Sequence, residues 1–205
     1  MKQTNDFERR VTESIEASIA TKQSLLQSHE VILTLVKVSE LLIDAFKQGN
    51  KVLLFGNGGS AADAQNIAAE FVGRFAFNRP ALPALALSVN SSCVTAIGND
   101  YGFDRVFSRQ VEALARPGDV AIGISTSGNS MNVHNAVATA KNIGLHTIAL
   151  TGLTGGKLVT MVDHCICVPS DATPRIQECH ILIGHIISEL VEREIFHEEG
   201  RVPRS

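Results

Sequence analysis

A short apolar strand runs into a glycine turn that opens directly onto an alanine-rich helix, KVLLFGNGGSAADAQNIAAEFVGRF over residues 51–75, and no other stretch constrains this chain so strongly. Gly58 and Gly59 permit positive φ and close approach of the backbone to a ligand. Ser60 reads as a helix N-cap, with Asp63 three positions on. Unpaired N–H groups and the helix dipole then face whatever lies in the turn, so the stretch reads as an anion site. Asn66 and Glu70, four positions apart, share one face of that helix among Ala, Ile and Phe, which predicts a buried carboxylate one turn deeper than an amide. The plainer reading is a capped βα turn with Glu70 at its solvated edge.

A second strand-turn-helix follows at residues 119–130, DVAIGISTSGNS, continued by the helical pattern MNVHNAVATAKNIG. Ser125, Thr126, Ser127 and Ser130 place four hydroxyls before a helix start. An ordinary N-cap uses one of them. Hydroxyls and backbone amides together donate to phosphate oxygens without a lysine, and the dipole assists.

Between and around these motifs the pattern alternates. Strands are expected near 51–55, 84–88, 119–124, 146–150 and 164–168, with helices near 60–73, 103–115, 130–143 and 155–161. Runs such as VAIGI and TIALT are apolar on both faces, as in a parallel sheet covered on both sides. The fold expected is therefore α/β, a doubly wound five-stranded parallel sheet. Ahead of it, residues 7–28 and 30–49 read as two helices, striped by Val11, Ile15, Ile19 and Leu26 and by Leu33, Val36, Leu41, Leu42 and Phe46. Behind it, Thr173-Pro174 starts a helix to about Phe196 that is apolar nearly all round. Such a helix belongs in an interior or between subunits. One domain over 1–205 is expected, with N-terminal helices at 1–49, the sandwich at 50–170, the interface helix at 173–196 and an unstructured polar tail at 197–205.

Composition excludes several function classes. A net charge of −3 argues against nucleic-acid binding. No apolar run reaches the roughly 18–20 residues of a membrane span, and the N-terminus has no signal-peptide core. Four cysteines, Cys93, Cys165, Cys167 and Cys179, form neither a CxxC motif nor a disulfide framework, and Cys165 and Cys167 would share one face of a strand. A reduced, cytoplasmic setting is the expectation.

The segments GNGGSAADAQ, AIGNDYGFDRVFSRQVEAL, GDVAIGISTSGNS, ALTGLTGGK and RIQECHILIGHIISELVE together resemble the sugar isomerase (SIS) family, closely its phosphoheptose isomerases, over residues 10–196. The resemblance implies a flavodoxin-like SIS fold, a homotetramer, and conversion of sedoheptulose 7-phosphate to D-glycero-D-manno-heptose 7-phosphate for surface polysaccharide. It further implies that Glu70 and His185 are the acid–base pair, that Ser125, Thr126, Ser127 and Ser130 hold phosphate, and that Asn57, Gly58, Gly59, Asn99, Asp100 and Gln177 hold sugar hydroxyls. Glu70, Gln177 and His185 would contact zinc. The family's fourth ligand, a histidine, is Asn66 here, and a neutral amide oxygen suits harder cations than zinc. His180 matches no functional position and reads as a hydrogen-bonded core residue.

The chemistry suits those residue types. A ketose becomes an aldose by moving one proton from C1 to C2 through an enediolate, which needs a base on carbon and a second group on the oxygens. Desolvation on an apolar helix is expected to raise the Glu70 carboxyl, while an imidazole passes protons near neutral pH. Gln177 and His185 stand eight positions apart, about 12 Å of helical rise, so a site at a subunit boundary is expected. Two rival readings remain: a non-catalytic SIS protein that binds the replication initiator, which lacks the acid–base pair, and an isomerase for another sugar phosphate.

Overall fold

Strand residues of this chain feed two cores in strict alternation. The structure, a computed structural model, describes residues 2–196, with side chains from residue 6; the polar tail expected at 197–205 lies outside them. In chain order the elements are α1 (Lys2–Gln27), α2 (His29–Lys47), β1 (Val52–Gly56), α3 (Gly59–Val72), β2 (Ala84–Ala86), α4 (Ser91–Tyr101), α5 (Ser108–Leu114), β3 (Val120–Ser125), α6 (Met131–Ile143), β4 (His146–Thr151), β5 (His164–Cys167) and α7 (Thr173–Phe196). The strands pair in parallel in the order β2-β1-β3-β4-β5. Val52, Leu54, Ile122, Ile148 and Ile166 point to a core shared with α2, α3 and α7. Leu53, Phe55, Ala121 and Ala149 point to the opposite core, against α5 and α6. That is the period of two expected of strands buried on both faces.

Three expectations are corrected. Residues 103–115 do not form one helix: a 3-10 turn at Phe103–Arg105 precedes the short α5. The helix expected at 155–161 shrinks to a 3-10 turn at Leu158–Thr160, because Gly155 and Gly156 both adopt positive φ just before it. Helix α4 was not foreseen. It buries no residue fully, so it has no apolar stripe to read, and its start rests on Asn90, whose side chain accepts from the Cys93 N–H.

Helices α3 and α7 lie side by side and run in the same direction. Their closest approach is at Gly184, where a Cβ would fall 2.4 Å from Ile67. Just beyond, a buried ion pair locks both helices to the segment after α3. Arg79 Nε donates to Glu192 Oε2 at 2.9 Å, and both side chains are 1% exposed. Glu192 also accepts from the N–H groups of Phe75, Ala76 and Phe77, and Arg79 donates to the carbonyls of Glu70 and Phe71. Burial pushes the Glu192 carboxyl up, but those N–H donors and the guanidinium together hold it below its ordinary value.

The N-terminal stripes divide. On α2, Leu42 and Phe46 enter the core, whereas Leu33 and Val36 stay exposed. On α1, Phe7, Val11, Ile15, Ile19 and Leu26 are all more than half exposed.

Replacing Glu192 by Ala leaves the guanidinium buried without its partner, and destabilisation of about 3–5 kcal/mol is expected in denaturant titrations near pH 7. The sign of the pH dependence follows. A carboxyl whose folded value lies below its unfolded value of about 4.3 stabilises fully above that value, and the contribution disappears as pH falls through the folded value. The gap between parent and variant should therefore narrow only below about pH 4; a gap that is flat down to pH 3 contradicts the ionic account.

Candidate functional site

Strands β1 and β3 are neighbours, yet the chain leaves β1 toward β2 on one side and arrives at β3 on the other. Their C-terminal ends open a fork, the place where doubly wound sheets bind ligands. The GNGGS turn and the STSGNS loop form its two prongs. An amide pair joins them: Asn57 and Asn132 exchange two hydrogen bonds, each 2.9 Å.

The expected Ser60 cap is not how α3 begins. Gly58, at φ 55°, occupies the N-cap position without a side-chain bond, and Ser60 sits buried one residue inside the helix. Ser60 packs there because Gly56 leaves room: a Cβ on Gly56 would meet Ser60 Cβ at 2.8 Å. No side-chain cap competes at this helix start, but the Ser60 and Ala61 N–H groups donate to the Asn57 and Gly58 carbonyls, so the turn offers the helix dipole rather than a full set of free donors. Asp63 makes no capping bond either. Its Oδ2 is buried with no partner, and burial raises the carboxyl to about 6.

Gly59, Asp63, Asn66 and Glu70 recur on one face of α3. Helix α7 lays two side chains along that row. The Gln177 amide covers Gly59, where a Cβ would fall 2.3 Å from Nε2. His185 Nε2 donates to Asn66 Oδ1 at 3.3 Å, and its ring stands 5.8 Å from that of Phe75. Glu70 is half-buried rather than enclosed, and its carboxylate makes no hydrogen bond or ion pair among the described residues. Gly59 and Asn66 are about 10 Å apart along the helix, so Gln177 and His185 address opposite ends of the row.

In the second prong, Ser125 Oγ and Ser130 Oγ lie 3.0 Å apart. Ser130 is the N-cap residue of α6, but its hydroxyl does not bond the helix, and the Val133 and His134 N–H groups donate to its carbonyl. Ser127 Oγ accepts from the Asn129 N–H, and Thr126 and Ser127 line a cavity of about 280 Å³ with Thr154, Ser170 and Asp171. His134 Nε2 donates to the Gly128 carbonyl at 2.9 Å and fixes the turn.

Sequence reasoning missed Asn132 and His134. Both are polar residues that α6 keeps buried, and nothing in the run MNVHN marks them, since they stand two positions apart and share no helix face. Asn99 and Asp100 stand exposed at the end of α4, bonded to each other at 2.8 Å and to none of the other site residues of the described chain. His180 is a core residue as expected: Nε2 donates to the Thr151 carbonyl at 3.1 Å, and burial pushes the imidazole down to about 4.

Residues 10–152 match the SIS domain. A phosphoheptose isomerase of Sulfurimonas denitrificans is 53% identical over 186 residues, 91% of this chain and 95% of that protein. Another, of Aquifex aeolicus, is 58% identical over 161 residues, 78% of this chain and 84% of its own length. Among solved structures, the phosphoheptose isomerase of Neisseria gonorrhoeae superposes with a TM-score of 0.86 at 46% identity, covering 91% of this chain and 98% of that one. Motifs, strand order and identity over nearly the full length agree: the chain belongs to the SIS family and, within it, to the phosphoheptose isomerases.

Proposed function

We propose that this chain is an aldose–ketose isomerase that converts sedoheptulose 7-phosphate to D-glycero-D-manno-heptose 7-phosphate through an enediolate, with Glu70 and His185 as its acid–base pair. The observation that carries the assignment is the face of α3 bearing Glu70 set against His185 of α7, beside a hydroxyl-lined helix start at the fork of the sheet. Glu70 removes the C1 proton and returns it to C2, and His185 passes a proton between O1 and O2. The terminal phosphate docks on Ser125, Thr126, Ser127 and Ser130 at the start of α6. Asn57, Gly58, Gly59 and Gln177 hold the sugar hydroxyls. The rival scaffold reading is disfavoured because both members of the acid–base pair are present. No described helix is long and apolar enough to cross a membrane, and the four free thiols suit a reducing cytoplasm.

The zinc of the family fits these residues poorly. Asn66, Glu70, Gln177 and His185 offer one imidazole, one carboxylate and two amides, and no three His, Cys, Asp or Glu among the described residues stand close enough to hold a metal ion. The chain is expected to purify with little zinc, and Asn66→His, which puts an imidazole one turn from Glu70, is expected to raise zinc affinity by more than about 10–100-fold, the loss seen when a ligand's supporting partner is removed. Stoichiometric zinc retained by the parent through chelator dialysis contradicts this.

The assembly proposed is a homotetramer with sites at subunit boundaries. Its support is the row Phe7, Val11, Ile15 and Ile19, whose exposure in one chain leaves an apolar stripe with nothing to cover it, and the outward position of Asn99 and Asp100. Sedimentation should show a multimer that Val11→Asp with Ile15→Asp dissociates; a stable, active monomer refutes the assembly.

Incubation of the purified chain with sedoheptulose 7-phosphate should form the aldose phosphate. Glu70→Gln and His185→Ala should each lower kcat by about 10²–10⁴-fold with the fold intact by circular dichroism. Near-normal turnover in Glu70→Gln removes it as the base. Gly59→Ala is expected to displace the Gln177 amide, a flexible group, and so to impair turnover while leaving thermal stability nearly unchanged; an unfolded variant would show that the cradle is structural.

A further inference from the structure

Cys165 and Cys167 stand on one face of β5, their Sγ atoms 3.7 Å apart. Thr151 Oγ1, on the adjacent β4, lies 3.5 Å from the first sulfur and 3.4 Å from the second. Neither thiol is fully buried, unlike Cys179. Strand β5 is an edge, paired among the described residues only with β4, so its outer side can bulge without breaking a second ladder. The hydrogen bond between the two thiols pulls that of Cys167 down to about 6 and pushes that of Cys165 up.

These thiols reach the hydroxyl loop through a few interlocked glycines. Cys167 Sγ lies 3.2 Å from where a Cβ on Gly155 would stand. Gly155 in turn presses on Gly128, where a Cβ would fall 2.0 Å from the Gly155 oxygen. The same segment donates to the hydroxyl loop from the N–H groups of Gly152, Lys157 and Leu158, to Thr126 O, Asn129 Oδ1 and Gly128 O. Side chains that could absorb a displacement are missing from that contact.

We propose that Cys165 and Cys167 form a redox-modifiable dithiol that reacts with low-molecular-weight disulfides and, once oxidised, shifts residues 152–158 and weakens the hold of the Ser125–Ser130 loop on phosphate. The Cys167 thiolate attacks one sulfur of a small disulfide such as oxidised glutathione, forming a mixed disulfide and releasing one small thiolate, which takes up a proton. Cys165 then loses its proton, attacks Cys167 Sγ and expels the second small thiol. The protein gives up two electrons and two protons, and the small disulfide takes both. An S–S bond of about 2.05 Å requires the sulfurs, now 3.7 Å apart, to close by about 1.7 Å. Closure shifts Cys167 Sγ from its place beside Gly155, and the glycine contact carries the movement to Gly128.

The coupling rests on the hydroxyl loop being the phosphate site, and the two are tested separately. The full chain in a Cys93→Ser background is treated with oxidised glutathione, its thiols are counted by alkylation and intact mass, and binding of inorganic phosphate to the reduced and oxidised forms is measured by calorimetry. Cys165 and Cys167 should be lost together, Cys179 retained, and both recovered with dithiothreitol. Phosphate affinity should fall about fivefold on oxidation, the equivalent of one hydrogen bond. Cys165→Ser, lacking the second thiol, should stop at a glutathione adduct on Cys167. Full alkylation of both thiols after treatment, a persistent adduct in the parent, or equal phosphate affinity of the two forms overturns the proposal. A reduced protein that fails to bind phosphate overturns the loop assignment instead, whatever the thiol count shows.

Discussion

The site hangs on one buried ion pair. Arg79 and Glu192 are each 1% exposed, and between them they bind the last carbonyls of α3, three consecutive N–H groups of the following loop, and the end of α7. A pair so enclosed adds little net stability over apolar side chains, because desolvation offsets most of its attraction. What it does is geometric. It fixes the Glu70 peptide against α7, and it holds the loop that sets Phe75 beside His185. With Gly184 seated on Ile67 in the middle and the Gln177 amide over Gly59 at the start, α3 and α7 are tied at three levels, and the side chains between those levels have nowhere to drift.

The second constraint is topological. Reversal of strand order between β1 and β3 leaves two helix starts, those of α3 and α6, aimed into one fork. Neither helix spends a side-chain cap on its own first turn, since Gly58 has none and the Ser130 hydroxyl turns to Ser125. Both dipoles stay directed at the fork, and the Asn57–Asn132 amide pair joins its two prongs. Two such starts, one lined by hydroxyls and one by glycine, suit an elongated substrate with an anionic end and a polyol body.

Much of this was legible in the residues. Strands buried on both faces announce themselves as apolar runs, and glycine turns followed by periodic helices mark where they end. Helix α4 was illegible because it buries no residue fully, and the 155–161 helix was misread because the pattern gives no weight to the backbone at Gly155 and Gly156. Ser60 was misassigned for a related reason: cap preferences favour Ser over Gly, but the space left by Gly56 draws Ser60 into the interior. Asn132, His134, Arg79 and Glu192 act through partners 6 to 117 positions away, and a spacing argument along one helix cannot see such contacts.

The contact that Asn66 makes bears most directly on the proposed proton transfers. Asn66 Oδ1 lies 3.3 Å from His185 Nε2, a contact in which the ring nitrogen donates when it carries the proton. In that tautomer Nδ1 keeps its lone pair and is the atom able to receive a proton. In a metal-bound arrangement a ring nitrogen is committed to the ion and its partner nitrogen to an orienting acceptor. An amide at position 66 supplies the orienting contact without claiming an ion. Within the proposed isomerisation, His185 is held by Asn66, which stands one helical turn from Glu70 on α3, and the pairing suits acid–base chemistry at that face.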